Sequence, residues 1–271
     1  MSVLTIDHLT RDYGGGKGIF DISFQVEQGE AFGFLGPNGA GKTTTIRHMM
    51  GFLKPMSGIC TIQGLDCWKN SSTIQSRLGY IPGEISFFDD MTGTEFLNFV
   101  ASYRKLGHEN RTKELIQRFD LNPKGKIKKM SKGMKQKIGI VSAFMHDPDI
   151  LILDEPTSGL DPLMQNRFVQ LIEEEKKRGK TILLSSHMFE EVERTCDRIA
   201  MIRDGRLVTV DSVDALRERH MHRYTVTLDT PELAQAFAED FHGICDGKTV
   251  TVVSSRSLES VFMQYYGGDQ R

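Results

Sequence analysis

An α/β fold with a mostly parallel core sheet is predicted by three features of this sequence. Short, unbroken apolar runs recur at Ala31-Phe32-Gly33-Phe34-Leu35, Ile150-Leu151-Ile152-Leu153 and Thr181-Ile182-Leu183-Leu184-Ser185; helix-period segments alternate with them; and a glycine-rich loop follows the first run and opens a helix. Strands of a parallel sheet are covered on both faces, so they read as continuous apolar runs rather than alternating ones. The composition supports such a core: of 271 residues, 39% are hydrophobic and 26% charged, with neither disorder nor collagen-like bias.

The elements follow in order. Residues 3–9 and 19–26 alternate apolar and polar side chains, the pattern of strands with one solvated face. Between them, Gly14-Gly15-Gly16-Lys17-Gly18 has glycines and a lysine but no Lys-Ser/Thr pair opening a helix, so it reads as a turn and not as a phosphate loop. Residues 31–35 form a buried strand, and 42–50 continue as a helix. Ile59-Cys60-Thr61-Ile62 and Leu78-Gly79-Tyr80-Ile81 are strands. Apolar residues then recur at helical spacing over 94–106 and 110–119, with Thr94 as N-cap and Gly107 as stop, making about 86–146 a mostly helical insertion. After the strand at 150–153 a helix opens on the capping pair Asp161-Pro162 and ends at Gly179. The strand at 181–185, a helix across Phe189-Glu190-Glu191-Val192 and a hairpin over 199–210 around Asp204-Gly205 complete a domain spanning 1–220. Residues 221–271 read as a small α+β appendage: strand 224–228, helix 231–240, a turn at Asp246-Gly247, strand 249–253 and helix 258–266.

The chemistry is concentrated in two places. Gly36, Pro37, Asn38, Gly39, Ala40, Gly41, Lys42, Thr43 and Thr44 form a phosphate loop: glycines let successive N–H groups and a helix N-terminus converge on an anion, Lys42 reaches the β- and γ-phosphates, and the Thr43 hydroxyl holds Mg²⁺. The chain therefore binds a nucleoside triphosphate. The strand 150–153 delivers Asp154 and Glu155 to its carboxyl end, where α/β sheets bind ligands. Two adjacent carboxylates there call for a cation. Asp154 is the Mg²⁺ ligand, commonly through a water, and Glu155 faces the attacking water as general base or orienter.

With the phosphate loop, further motifs carry a family resemblance. Met130-Ser131-Lys132-Gly133-Met134-Lys135-Gln136 sits where a Leu-Ser-Gly-Gly-Gln signature is expected, Ser158-Gly159-Leu160-Asp161 resembles a D-loop, Ser185-Ser186-His187 resembles a switch histidine at a strand end, and Tyr13 is similar to an aromatic that stacks on adenine. Over roughly residues 1–220 the chain resembles the ATP-binding subunits of ABC transporters. The resemblance implies an ABC-type nucleotide-binding domain with an antiparallel N-terminal β subdomain. It also implies ATP and Mg²⁺ as cofactors, and two head-to-tail subunits, identical or different, sandwiching two ATP molecules. Ser131, Gly133 and Asp161 of one subunit then meet the nucleotide held by the other, and His187 donates to the γ-phosphate. Hydrolysis would power a separately encoded permease, and the variant signature resembles the branch that exports drugs and peptide antibiotics. Two departures stand out. The position after the strand 78–81 where the family has a glutamine reads Pro82-Gly83-Glu84, leaving Glu84 or a water for that role, and Lys132, Met134 and Lys135 replace the usual signature residues.

The remaining features bound the partners. Lys+Arg 34 against Asp+Glu 36 gives a net charge of -2, so no global field favours nucleic acid or anionic lipid. The lysines at 124, 126, 128, 129, 132, 135 and 137 have no interleaved aromatics, and a nucleic-acid partner is not expected. His220 and His222 lack further metal-ligand types at suitable spacing, and Cys60, Cys67, Cys196 and Cys245 form no zinc pattern and fit free thiols in a reducing compartment. No apolar stretch of about eighteen residues is present, so another chain is expected to span the membrane, with this one held peripherally at its cytoplasmic face. Phe87, Phe88, Met91 and Phe96 on the helical insertion are candidates to dock the permease, with a plain core role as the alternative. A soluble ABC-type ATPase acting on ribosomes or DNA is the second reading, although such proteins usually carry two ATPase halves or a long coiled coil.

Overall fold

A computed structural model describes residues 2–88, 90–106, 110–219 and 221–255. The chain divides into two compact units, at Val210/Asp211 rather than after 220, because the helix at 213–219 clusters with the later residues.

In the first unit, β1 (Ser2–Asp12), β2 (Gly18–Glu27), β4 (Ser57–Ile62) and β5 (Leu65–Asp66) form an antiparallel sheet in the order β2-β1-β4-β5. Alternating burial along β2 follows from its alternating sequence. The second sheet has the order β10-β9-β3-β8-β7-β6, from β3 (Ala31–Leu35), β6 (Leu78–Ile81), β7 (Ile150–Asp154), β8 (Thr181–Ser186), β9 (Arg198–Arg203) and β10 (Arg206–Ser212). Strands β9, β3, β8, β7 and β6 are parallel, and every residue of β3, β7 and β8 is buried, as their unbroken apolar runs require. The hairpin between β9 and β10 turns through Asp204 and Gly205 at φ 49° and 73°, the left-handed pair a two-residue turn needs.

Helices α1 (Lys42–Met49), α2 (Ser71–Arg77), α3 (Gly93–Tyr103), α4 (Asn110–Arg118), α5 (Lys132–Phe144), α6 (Pro162–Lys177) and α7 (Phe189–Thr195) connect these strands. Ile46 and Met49 of α1 join Phe24, Phe32 and Phe34 in one buried cluster spanning both sheets, with the Phe24 and Phe32 rings stacked at 5.1 Å. Burying each such side chain stabilises the fold by about 1.5–3 kcal/mol.

The cap of α3 is a correction. Thr92, not Thr94, is the N-cap: its hydroxyl accepts from Glu95 N at 3.2 Å, and the Glu95 carboxylate accepts from Thr92 N at 2.7 Å. This reciprocal box follows the Thr-x-x-Glu spacing, which outranks the simple start of apolar periodicity. The expected stop at Gly107 lies outside the described residues. Helix α2 and strand β5 had no sequence signal: α2 buries one side chain, Ile74, and so shows no amphipathic period.

The second unit contains α8 (Val213–Arg219), β11 (Met221–Thr227), α9 (Pro231–Asp240), β12 (Ile244–Asp246) and β13 (Thr249–Ser255). Its antiparallel sheet runs β11-β13-β12, and Ala234 and Ala238 of α9 pack with Val250. The expected helix over 258–266 lies outside the described residues. All four cysteines are free; Cys60, Cys67 and Cys196 are buried.

Candidate functional site

Strand β3 ends at the phosphate loop, whose glycines are steric requirements. Gly39 and Gly41 have φ of 81° and 112°, and a Cβ at Gly36 would lie 2.5 Å from Ile202 O. Gly41 caps α1 without any side-chain acceptor, so the first-turn amides of α1 are left for a ligand. Lys42 is 5% exposed; its Nζ donates to the carbonyls of Gly36 at 2.6 Å and Pro37 at 3.2 Å and pairs with Glu155 Oε1 at 3.0 Å. Above them opens a cleft of about 480 Å³, lined by Tyr13, Asn38, Gly39, Gly41, Lys42, Thr43, Thr44 and Glu155 of the expected set. Tyr13 is half exposed, with the Arg11 guanidinium 5.4 Å from its ring centroid. Gly36 and Pro37 serve through their carbonyls, and Ala40 is buried behind the loop.

The carboxylates arrive from β7. Asp154 is fully buried; its Oδ1 accepts from Ser185 Oγ at 2.5 Å, whereas Oδ2 has no hydrogen-bond partner among the described residues. Burial pushes this carboxyl up, opposed by the Ser185 and Thr43 hydroxyls. Gly83 lies directly against it: a Cβ there would stand 2.9 Å from Asp154 Oδ2 and 3.6 Å from Thr43 Oγ1. An orphaned carboxylate oxygen beside a threonine hydroxyl fits a hard divalent cation. Mg²⁺ is such a cation, since it takes one or two protein carboxylates and keeps waters and phosphate oxygens.

Glu155 adopts φ 49°, a left-handed conformation that costs a non-glycine residue of order 1 kcal/mol or more. Its N–H is held by both Ser185 O and Ser185 Oγ, each at 3.1 Å. Its carboxylate bridges two groups, Lys42 through Oε1 and His187 Nδ1 through Oε2 at 2.5 Å. One chain of contacts thus runs from phosphate loop to His187.

A second set stands elsewhere. Ser131 caps α5, its Oγ accepting from Met134 N at 3.2 Å, and Asp161 caps α6 by accepting from Met164 N at 3.0 Å. Lys132 Nζ donates to Ser158 Oγ at 2.8 Å, and a Cβ on Gly133 would lie 2.7 Å from Gly159 O, so signature and D-loop segments pack on each other. Ser131, Gly133 and Asp161 do not line the phosphate-loop cleft.

Residues 19–158 match the family model described as ABC transporter. The chain belongs to the ABC transporter family, as an ATP-binding domain. It is 38% identical over 208 residues to the ABC transporter ATP-binding protein NatA of Bacillus subtilis, covering 74% of this chain and 85% of that one. It is 36% identical over 248 residues to the bacitracin transport ATP-binding protein BcrA of Bacillus licheniformis, covering 90% and 81%. A solved structure of an ATP-binding subunit of an ABC transporter superposes with a TM-score of 0.74 at 33% identity, covering 80% of this chain and 93% of that one. No helix among the described residues is long and apolar enough to cross a membrane.

The ABC domain also uses residues whose part in the cleft was not foreseen. Gly16, Lys17 and Gly18 of the turn between β1 and β2 line it, as do Asp204 and Gly205. Gly205 N donates to Ala40 O at 3.0 Å and Gly205 O accepts from Phe20 N at 2.7 Å, tying the phosphate loop to β2. A Cβ there would stand 2.2 Å from Gly18 O. The two glycine turns had been legible as turns; nothing in the sequence brought them together. His220 and the side chain of His222 lie outside what the structure describes.

Proposed function

We propose that this ABC domain hydrolyses ATP at an interface shared with a second ATPase subunit, and that hydrolysis drives a separate membrane permease of the exporter type. The observation that carries the reading is the Glu155 carboxylate, held between Lys42 and His187 at the mouth of the phosphate loop. Bound ATP offers Lys42 phosphate oxygens in place of Glu155 Oε1. Glu155 then turns to the water that attacks the γ-phosphorus, taking its proton as the bond to the ADP oxygen breaks. Such a base is worth about 10²–10⁴-fold in rate. His187 Nδ1 keeps that carboxylate in place, and in this reading its ring donates to the γ-phosphate of bound ATP. Thr43 and Asp154 would hold Mg²⁺, which when bound neutralises charge on the β- and γ-phosphates. Tyr13 supplies the face for adenine.

Ser131 and Gly133 at the start of α5 form an anion-binding helix end, away from the domain's own cleft. A second subunit, identical or related, brings that end to the nucleotide. Peripheral attachment at the cytoplasmic face of a membrane follows from the permease partner. The aromatic patch of the helical insertion is the docking surface: Phe88 is 55% exposed and pairs edge-on with Phe99, while Phe87 and Phe96 brace each other at 4.9 Å. The name of the bacitracin transport relative supports a role in transport.

Glu155→Gln tests the reading. With the nucleotide site intact, hydrolysis is expected to fall about 10²-fold or more, and ATP with Mg²⁺ should convert the chain to a stable dimer in size-exclusion chromatography. Normal turnover in this variant would overturn the assignment.

A further inference from the structure

Glu155 and His187 sit on two different loops that leave adjacent strands, and one buried side chain fastens those loops. Glu191, on α7, is 6% exposed. Its Oε2 accepts from Ser186 Oγ at 2.7 Å, the residue before His187, and from Thr157 Oγ1 at 3.2 Å, in the turn just after Glu155. Ser186 Oγ also accepts from Met188 N at 2.9 Å, so the same hydroxyl braces His187 from its other side. Thr157 is itself 5% exposed. The second Glu191 oxygen, Oε1, is buried without a hydrogen-bond partner among the described residues.

A carboxyl in this place is a poor stability device. Burial outweighs its two hydroxyl donors and pushes it up to about 7, and well-packed apolar groups usually replace buried charge at no loss. What the carboxyl does supply is geometry, since one oxygen receives a hydrogen bond from each loop. Glu155 needs that help, because its left-handed backbone persists only where the surroundings over-determine it.

We propose that Glu191 is a positioning residue for ATP hydrolysis, clasping the Thr157 turn to the Ser186 strand end and so fixing Glu155 and His187 relative to each other. The inference rests on the reading of Glu155 as the group that acts on water. It predicts that loosening the clasp affects the chemical step and not nucleotide capture, because the phosphate loop is anchored separately through Gly205 and the Gly36 and Pro37 carbonyls.

The test uses the full chain and four variants, Glu191→Ala, Glu191→Gln, Thr157→Val and Glu155→Gln, with kcat and KM for ATP, the affinity for a fluorescent ATP analogue and the thermal midpoint measured for each. Misplacement of a reacting group by about 1 Å costs up to about 10²-fold, so Glu191→Ala should lower kcat at least about tenfold while affinity stays within about threefold. Glu191→Gln keeps one oxygen that can accept both hydroxyls and should recover most of kcat; Thr157→Val, which cuts one arm, should lie between. Full kcat in folded Glu191→Ala, a loss of affinity in step with kcat, or a glutamine variant no better than the alanine one overturns the clasp. If Glu191→Ala does not fold, unchanged kcat in Thr157→Val overturns it alone. Glu155→Gln separates the two levels: normal turnover there defeats the underlying reading, whereas its inactivity beside an unimpaired Glu191→Ala defeats only the clasp.

Discussion

The phosphate-loop half of the ABC domain and its signature half are built on opposite plans. Around the loop, Lys42 and Asp154 are buried and Glu155 nearly so, and each is engaged by groups from other strands. Around the signature, Ser131 and Asp161 are exposed and are fixed mainly by capping their own helices. The first plan pre-organises charges that would be costly if left mobile; the second leaves a helix N-terminus at the surface. In the proposed function this difference is the mark of a site closed by association under the control of ATP.

That contrast is most directly broken from the exposed side. Ser131→Arg should abolish ATP-dependent dimerisation and lower hydrolysis by about 10²-fold or more, the order of a lost transition-state donor, while an isolated chain still binds nucleotide normally. Reduced nucleotide affinity in single chains would mean that the two halves are not separate. Lys42→Ala probes the buried side, and here the loss should fall on binding. Removing one charge-assisted contact of about 1.5–3 kcal/mol weakens ATP affinity by about 10- to 100-fold in a titration, and Glu155, left without its cation, should also lower the thermal midpoint of the empty protein.

A smaller effect is expected at Gly83. An alanine methyl 2.9 Å from Asp154 Oδ2 forces that carboxylate to shift by a few tenths of an ångström. Gly83→Ala should reduce the gain in ATP affinity on adding Mg²⁺ by several-fold, of the order of 1 kcal/mol for one disturbed ligand, with affinity in chelator unchanged. Equal loss with and without Mg²⁺ would place the disturbance in the loop itself.

The last effect is a pH dependence confined to the clasp. The groups facing Glu191 are Glu155, which raises it, and His187, which lowers it, with the buried Cys196 thiol at the end of α7 pushed up to about 12. Because the folded Glu191 carboxyl titrates at about 7 against its ordinary 4.5, the neutral form favours folding. That contribution is fully present below about pH 4.5 and disappears as pH rises through about 7. Glu191→Gln should therefore gain stability on the wild type between about pH 5 and pH 8, by on the order of 1–3 kcal/mol. Denaturation midpoints that stay parallel across that range would show that the carboxyl is not held neutral.

The sequence alone determined the structure that is local along the chain. The phosphate loop, the Asp154-Glu155 pair behind an apolar strand and the Asp161-Pro162 helix start were all readable, because a turn, a strand end and a cap each need particular residues within a few positions. Thr92 and Glu95 were readable on the same grounds, although the start of periodicity pointed to Thr94. Only the tertiary structure decided that Glu155 bridges Lys42 and His187, that Gly83 abuts Asp154, that Gly205 ties the phosphate loop to β2 and that Glu191 joins two loops. Each depends on which strand ends coincide. The pairings Leu35 with Ser186, Ile81 with Leu153 and Asp154 with Ser185 set that coincidence. Uniformly apolar parallel strands carry no alternation to mark their own register, so it is fixed by the packing of the whole sheet.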